Sequence, residues 1–319
     1  MRAAQITEIG SPPQPADIPE PEPGEGQTTI AVSAVALNPV ELRVAAGRMP
    51  GATPPYVPGL EGVGTVISSP HLAPGTRVRF ENDLPGFGKD GAMREIAPTD
   101  AEAIYVLPDS VDDATAAAAG VAGVTAELAY RLAVMEPGER VAVLGATGGV
   151  GQMAVQIGAA RGAAAVVAVG RHGPTLEWLS FHGATGVVDL GSVENLAEAL
   201  QQEAGGPIDV VVDCLWGAPA LSAIEAFADG ARLVNVGNNA GLDVSLPLQT
   251  MRKTRSAVFG LSSGWTPLPE KMDAYGAVIE HIAAGRVTVS HEVAPLDEIS
   301  AVWSRQEQYP HTKLVVSLA

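Results

Sequence analysis

The sequence has 319 residues, enough to bury a large core and to form two domains. Its 36 Asp and Glu residues outnumber its 19 Lys and Arg residues, and the resulting charge of −17 repels nucleic acid and anionic membrane surfaces. A single cysteine, Cys214, excludes an intrachain disulfide and a multi-thiolate zinc site. No apolar run reaches the roughly 18 residues of a membrane span, and the N-terminus lacks a signal-peptide pattern. We therefore expect a cytoplasmic protein with neither nucleic-acid nor membrane partners.

The first 110 residues hold 16 of the 25 prolines, and their apolar segments are short and rich in β-forming residues. This composition predicts an irregular antiparallel unit. The strand candidates lie at 28–36, 62–67, 77–80 and 93–96, and we expect the last two to pair across the intervening turns. Acidic residues at Asp112 begin a helical stretch, and we place the domain boundary there.

From Val141 onward, strand-like and helix-like segments alternate. The strand-like segments lie at 141–145, 165–169, 187–189, 208–213, 231–237 and 256–260. The helix-like segments between them lie at 175–182, 193–203 and 218–228. Such alternation predicts an α/β fold with a doubly wound parallel sheet, which binds ligands at the carboxyl ends of its strands.

A glycine turn follows the first of these strands. Gly145, Gly148 and Gly151 recur at three-residue intervals, and an apolar stripe of Val150, Ala154 and Ile157 marks the helix that comes next. The N–H groups and positive dipole end of such a helix favour an anion, and glycines let it approach closely. The turn predicts a pyrophosphate site, and the complete βαβ unit around it strengthens that interpretation.

Gly170-Arg171-His172 follows the second strand, where an NAD-preferring site carries Asp or Glu. An acidic group would repel a 2′-phosphate, whereas Arg171 can bind one through charge-assisted hydrogen bonds. We therefore expect NADPH rather than NADH as the cofactor. The alternative is that Arg171 is only a solvated loop residue.

The last fifty residues contain a helix at 270–284, a second near 296–306 and a terminal strand at 313–318, which we expect to rejoin the first domain. Tyr309 and Lys313 match the Y-x-x-x-K spacing of short-chain dehydrogenases. Those two side chains must meet on one helical turn, but Lys313 begins a strand. We assign the pair no catalytic role.

Taken together, the sequence resembles the zinc-independent quinone oxidoreductase branch of the medium-chain dehydrogenase/reductase superfamily over nearly its whole length. The segments that carry the resemblance are 36–47, 57–66, 122–126, the glycine turn at 145–151, 236–241, 295–299 and 313–316. The resemblance implies a GroES-like, β-rich catalytic domain from residues 1–119 with 263–319 and a Rossmann NADP-binding domain from 120–262. It also implies an active site in the cleft and a homodimer formed through the sheet edge near Ser256–Leu261.

Two departures from the family concern metal. Where the zinc alcohol dehydrogenases have a cysteine and a histidine ligand, this sequence has Asn38 and Leu60. Neither side chain can serve as a zinc thiolate or imidazole ligand. We therefore predict no metal, and hydride transfer then requires an acceptor that is already electrophilic.

The resemblance also places the site residues. Asn38 is implied beside the nicotinamide and acceptor, where its amide could bond a developing oxyanion, although it could equally be a turn-former before Pro39. Arg43 stands where many quinone reductases have a tyrosine, and it could stabilise an oxyanion or point to solvent. The expected cofactor contacts are Thr125, Gly145, Thr147, Gly148, Gly149, Val150, Gly170, Arg171, His172, Leu215, Gly237, Asn238 and Asn239.

The predicted function is NADPH-dependent, metal-free hydride transfer to a small electrophile, namely a quinone or an activated enone or enal. One alternative is a 2-alkenal or enoyl-thioester reductase. An alternative of another class is a non-catalytic NADPH-binding sensor or structural dimer.

Overall fold

The computed structural model describes residues 1–318, which divide into two compact units. The first unit comprises Met1–Val121, Leu268–Ile279 and Val289–Ala319, and the second comprises Ala122–Pro267 and Glu280–Thr288. The chain thus leaves the first unit at residue 121, close to the predicted boundary. Residues 263–267 and 280–288, which the resemblance places in the catalytic domain, group with the second unit.

Strands and helices account for most of both units. The strands are β1 (Arg2–Gln5), β2 (Gln14–Asp17), β3 (Thr28–Ala36), β4 (Glu61–Ser68), β5 (Arg77–Glu81), β6 (Ile96–Thr99), β7 (Ile104–Val106), β8 (Arg140–Leu144), β9 (Ala165–Gly170), β10 (Gly186–Asp189), β11 (Ile208–Asp213), β12 (Phe227–Asn235), β13 (Ala257–Gly260), β14 (His291–Pro295) and β15 (Lys313–Ser317). The helices are α1 (Pro39–Ala45), α2 (Asp113–Leu132), α3 (Gly149–Ala160), α4 (Gly173–Ser180), α5 (Leu196–Ala204), α6 (Gly217–Glu225), α7 (Leu248–Thr254), α8 (Leu268–Ala283) and α9 (Ile299–Glu307).

The first unit is built on a mostly antiparallel sheet in the order β14-β15-β3-β4-β5-β7, with β6 also paired to β3. A separate ribbon joins β1 and β2. β15 pairs with β3, so the end of the chain completes the sheet that the N-terminal segments begin, as predicted. Phe80 and Trp303 are buried in the core that this sheet forms with α9.

The predicted pairing of 77–80 with 93–96 is wrong. β5 pairs with β4 and β7, while β6 begins only at Ile96 and pairs with β3. The loop between them is bound elsewhere, because the N–H groups of Gly91, Ala92 and Met93 donate to carbonyls of residues 57–59. These long-range bonds outcompete the local hairpin that sequence proximity had suggested.

The second unit contains a six-stranded sheet in the order β10-β9-β8-β11-β12-β13, with every neighbouring pair parallel. The predicted doubly wound α/β fold is confirmed, and each predicted strand from 141 to 260 is present. The order reverses between β8 and β11, the switch point at which such sheets bind ligands. No helix within residues 1–318 is long and apolar enough to cross a membrane.

Candidate functional site

The glycine turn connects β8 to α3 in the second unit. Gly145 has a φ of +79°, which favours glycine, and the N–H groups of Gly145 and Ala146 both donate to Val169 O at 2.9 Å. A Cβ on Gly151 would lie 2.3 Å from Gly145 O, so only glycine lets α3 pack this closely on the strand end. These two glycines therefore build the turn itself.

Gly148 differs from its two neighbours in the pattern. It is exposed, its φ of −84° is open to any residue, and a Cβ there would meet only Gly145 O at an ordinary 3.5 Å. The protein therefore does not itself require glycine at this position, although a phosphate approaching the first turn of α3 would. The turn fits the pyrophosphate of a dinucleotide.

The end of β9 lies against this turn. A Cβ on Gly170 would come within 2.5 Å of Thr147 Cγ2, so strand end and turn are in contact. Arg171 follows, exposed and without a hydrogen bond or ion pair to any residue from 1 to 318. His172 caps α4 instead, since its Nδ1 lies 2.7 Å from Thr175 Oγ1 and faces Thr175 N. Arg171 thus has its guanidinium available for an anion.

Two further loops, after β11 and β12, continue the row of strand ends. Leu215 lies beside the turn, because a Cβ on Gly145 would be 3.1 Å from Leu215 Cδ2. Gly237 packs on the first of these loops, because a Cβ added to Gly237 would lie 2.7 Å from Cys214 O. Asn238 and Asn239 are exposed. Thr125, on α2, is 6 % exposed and donates to Ser263 Oγ at 3.1 Å.

Asn38, in the first unit, is the N-cap of α1 and is 2 % exposed. Its Oδ1 accepts from Lys313 Nζ at 2.9 Å, and its Nδ2 donates to Ala36 O at 3.3 Å and Glu61 Oε1 at 3.2 Å. Lys313 also donates to Leu37 O at 2.8 Å, and burial lowers the pKa of its ammonium. The Asn38 amide is thus held at both ends by the protein.

Glu41 joins α1 to the segment that precedes β4. Its carboxylate accepts from the backbone N–H groups of Asn38 at 2.9 Å, Gly59 at 2.7 Å and Leu60 at 3.0 Å. Desolvation nevertheless raises the pKa of Glu41 to about 7, against the opposing effect of these donors. A cavity beside it is lined in part by Tyr56, whose buried hydroxyl has no hydrogen-bond partner within residues 1–318.

Glu61 belongs to a buried series of ion pairs. Its Oε2 accepts from Arg79 at 2.7 Å, Arg79 also bonds Glu81 at 2.9 Å, and Glu81 contacts Lys271. Glu61 further accepts from Val121 N, and a Cβ on Gly120, where α2 is kinked, would collide with its carboxylate. Every charge of this series is paired, as buried charges require.

The two candidate catalytic residues have different surroundings. Arg43 lies on the exposed side of α1 and has no hydrogen bond or ion pair from its guanidinium to residues 1–318, whereas Asn38 is buried. Through contacts within the first unit, Asn38 is linked to Glu61 and Lys313 rather than to Arg43.

The donor set around Asn38 does not fit zinc. It consists of an amide, the Glu61 carboxylate bound to Arg79, the Glu41 carboxylate bound to three backbone N–H groups, and an ammonium. The neighbouring Leu60 has an apolar side chain. Zinc sites need thiolate, imidazole or available carboxylate ligands. Within residues 1–318, no three His, Cys, Asp or Glu residues are grouped as a metal site.

Sequence reasoning missed several buried polar residues near the candidate positions. They are Glu41, Arg79, Asp213 and Lys313, together with the partly buried Asn235. Glu41 had a local signal, because Asn38 and Glu41 form a capping box over α1, a helix that the sequence did not predict. Lys313 had none, since its partner Asn38 is 275 residues away in the chain.

Two family models match the chain. The alcohol dehydrogenase GroES-like domain matches residues 24–109, and the zinc-binding dehydrogenase model matches residues 149–280. An alcohol dehydrogenase from Moraxella sp. is 25% identical over 97% of this chain and 96% of its own length. The quinone oxidoreductase from Thermus thermophilus, solved also with NADPH, is 28% identical with a TM-score of 0.82, and the match covers 100% of both chains.

Similarity extends to much larger proteins. The phthioceranic/hydroxyphthioceranic acid synthase of Mycobacterium tuberculosis is 31% identical over 93% of this chain, which spans only 14% of the synthase. The two domain matches and the agreement in fold with a quinone oxidoreductase point to one superfamily. The chain belongs to the medium-chain dehydrogenase/reductase superfamily, and its structural neighbours include quinone oxidoreductases.

Proposed function

We propose that this chain is an NADPH-dependent, metal-free oxidoreductase that transfers hydride to a quinone or to an activated enone or enal. The observation that carries the proposal is the glycine turn next to Arg171, a strand-end arginine with no partner among residues 1–318. The turn suits a pyrophosphate and Arg171 suits a 2′-phosphate, which together favour NADPH over NADH.

The nature of the acceptor follows from the donor set in the first unit. Amide, ammonium and already paired carboxylate groups surround Asn38, so the residues described there offer no ligand set for a Lewis-acid ion. The acceptor must therefore be electrophilic by itself, as a quinone or a conjugated carbonyl is. NADPH, when bound, supplies the hydride.

The chain's own groups bind and orient the reactants. We assign Asn38 to the acceptor oxygen through Nδ2, whose present bonds of 3.2 and 3.3 Å are the longest that its amide makes. Contact with the acceptor would replace the bond to Ala36 O. Arg43, exposed and with no partner for its guanidinium in the described part of the chain, is assigned to a developing oxyanion.

Assembly is a further part of the proposal. β13 is an edge strand of the six-stranded sheet, and we propose that two copies pair along it to form a homodimer. An edge strand leaves backbone donors and acceptors that a second copy can pair, and sedimentation of the purified protein would test the arrangement.

The similarity to acid synthases favours a second candidate, reduction of an enoyl thioester. A mycocerosic acid synthase-like polyketide synthase of Mycobacterium tuberculosis is 30% identical over 67% of this chain, which covers 10% of that protein. Acyl chains are commonly processed as thioesters, and an α,β-unsaturated thioester is a conjugated carbonyl compound like the first candidate's acceptors.

The proposal is tested by following NADPH oxidation with benzoquinone, phenanthrenequinone, a 2-alkenal and crotonyl-coenzyme A, each with and without a strong chelator. Chelator-resistant turnover with a quinone supports the first candidate, and turnover with crotonyl-coenzyme A alone supports the second. Saturable NADPH binding without turnover of any acceptor would favour a sensor or structural dimer instead.

Arg171→Ala tests the cofactor preference. Loss of a charge-assisted contact should weaken NADPH binding by about 1–3 kcal/mol while hardly changing NADH binding. Arg48→Ala, which removes an exposed arginine of the first unit, is the matched control and should affect neither. Equal losses for both cofactors in Arg171→Ala would contradict the assignment.

A further inference from the structure

We propose that Asp213, acting with Asn235, is the positioning residue for the nicotinamide half of the cofactor site. The proposal extends the dinucleotide site proposed above and rests on it. Neither side chain needs to touch the cofactor, because both act through the loops that follow β11 and β12. The β11 loop is residues 214–216 together with Gly217, the first residue of α6, and the β12 loop is residues 236–241.

The Asp213 carboxylate is fully buried at the end of β11 and binds the β11 loop directly. Its Oδ1 accepts from Leu215 N at 2.9 Å and from Trp216 N at 3.0 Å, and its Oδ2 lies 3.2 Å from Trp216 N. Burial raises the pKa of Asp213, while these donors and Asn235 oppose the shift. A buried carboxylate with this many donors fixes the backbone that donates to it.

Asn235 extends the same contact to the β12 loop. Its Nδ2 donates to Asp213 Oδ2 at 2.8 Å and to Gly237 O at 2.7 Å. Asn235 is the last residue of β12, so a single amide group joins the buried carboxylate to the start of the second loop. Asp213 therefore controls the backbone of both loops.

The two loops are also packed on each other. Ala240 N donates to Leu215 O at 2.7 Å. A Cβ on Gly217 would lie 2.7 Å from Ala240 O, and one on Gly237 would lie 2.7 Å from Cys214 O. Such close backbone contact leaves neither loop free to move without the other.

Trp216 has an unusual backbone conformation, with φ +59° and ψ −161°. A non-glycine residue in this region is strained and persists only where surrounding contacts hold it. The bonds from Trp216 N to Asp213 supply that restraint. Backbone strain of this kind clusters at functional sites.

The order of strands determines which part of a dinucleotide these loops would meet. Because β9, β8, β11 and β12 are neighbours in that order, Arg171, the glycine turn, the β11 loop and the β12 loop form a row at one edge of the sheet. Leu215 already lies beside Gly145. With the 2′-phosphate at Arg171 and the pyrophosphate at the turn, the nicotinamide half extends over the two loops.

Asp213→Asn tests the proposal. The asparagine Oδ1 can still accept from Leu215 N and Trp216 N, but its Nδ2 would face the Nδ2 of Asn235, so two donors oppose each other. Binding is measured by titration calorimetry with NADPH and with adenosine 2′,5′-bisphosphate, which has the 2′-phosphate but no nicotinamide. We expect NADPH to bind about tenfold more weakly and the bisphosphate to bind within about twofold of wild type.

Two further variants keep the test decisive. Asn235→Ala removes the link to Gly237 while leaving the bonds of Asp213 to the β11 loop, so it should show a smaller loss in the same direction even if Asp213→Asn folds poorly. Arg171→Ala should instead weaken the binding of both NADPH and the bisphosphate, because both carry the 2′-phosphate.

The outcomes distinguish failure of this inference from failure of the proposed dinucleotide function. If Asp213→Asn and Asn235→Ala weaken both probes equally, or neither probe, the two residues are only structural and the inference is wrong. If the wild-type protein binds neither probe, the proposed dinucleotide function is itself overturned, and the inference falls with it. Selective loss of NADPH binding in the two variants supports both the inference about Asp213 and the proposed dinucleotide function.

Discussion

Glu41 should make the stability of the first unit depend on pH. Its pKa of about 7 in the folded protein is raised from 4.5, chiefly by desolvation. Between these two values the folded state binds more protons than the unfolded state, so the free energy of unfolding falls as pH rises from about 4.5 to about 7. A shift of this size corresponds to about 3 kcal/mol at roughly 1.4 kcal/mol per pKa unit.

Glu41→Gln removes the titration and should therefore flatten this dependence. The glutamine Oε1 can still accept from Gly59 N and Leu60 N, whereas its amide faces Asn38 N, which adds a penalty that does not vary with pH. The charged and titratable groups coupled to Glu41, which are Glu61, Tyr56 and Lys313, remain in the variant. The difference between the two proteins thus isolates Glu41.

The assay is urea unfolding at several pH values from 4 to 8, followed by circular dichroism and tryptophan fluorescence. The buried Asp213, whose pKa is raised, and His281, whose pKa is lowered, titrate in both proteins and cancel in the difference. Glu25→Gln, at an exposed glutamate, controls for the loss of a carboxyl group. A difference curve that stays level between pH 4.5 and 7, or that slopes the other way, would refute the reasoning.

Four other substitutions have defined outcomes. Arg79→Met leaves Glu61 as a buried carboxylate without its cation and should lower the free energy of unfolding by about 3–5 kcal/mol in a denaturant titration. Lys313→Met removes two buried hydrogen bonds but also a buried charge, so it should lower the free energy of unfolding by only about 1–3 kcal/mol in the same titration. A larger decrease would show that the buried ammonium stabilises the fold more than these two hydrogen bonds explain. Gly148→Ala should melt like wild type yet bind NADPH more weakly, whereas Gly151→Ala should melt at a lower temperature; equal effects in both assays would contradict the division of roles between these glycines.

The six parallel strands and the glycine turn could be predicted from the sequence because their signals are local. Val141–Leu144 is a continuous apolar run followed at once by Gly145. Such a run is the sequence pattern of a parallel strand that is buried on both faces. The unpredicted helix α1 also had a local signal, in Pro39 and the capping box of Asn38 with Glu41, but it is only seven residues long. Short elements of this kind give too little periodicity to stand out.

The pairing of β5 with β7, the link between Lys313 and Asn38, and the contacts of Asp213 and Asn235 with two loops were decided by the tertiary structure. Each depends on contacts between distant segments, and polar residues show no periodicity that would reveal their partners. Sequence alone determined the superfamily resemblance, the glycine turn and the placement of Arg171 after a strand. Only the fold determined that Asn38 is held at both ends by buried groups, because a buried hydrogen-bond network is specified by where the backbone brings side chains together.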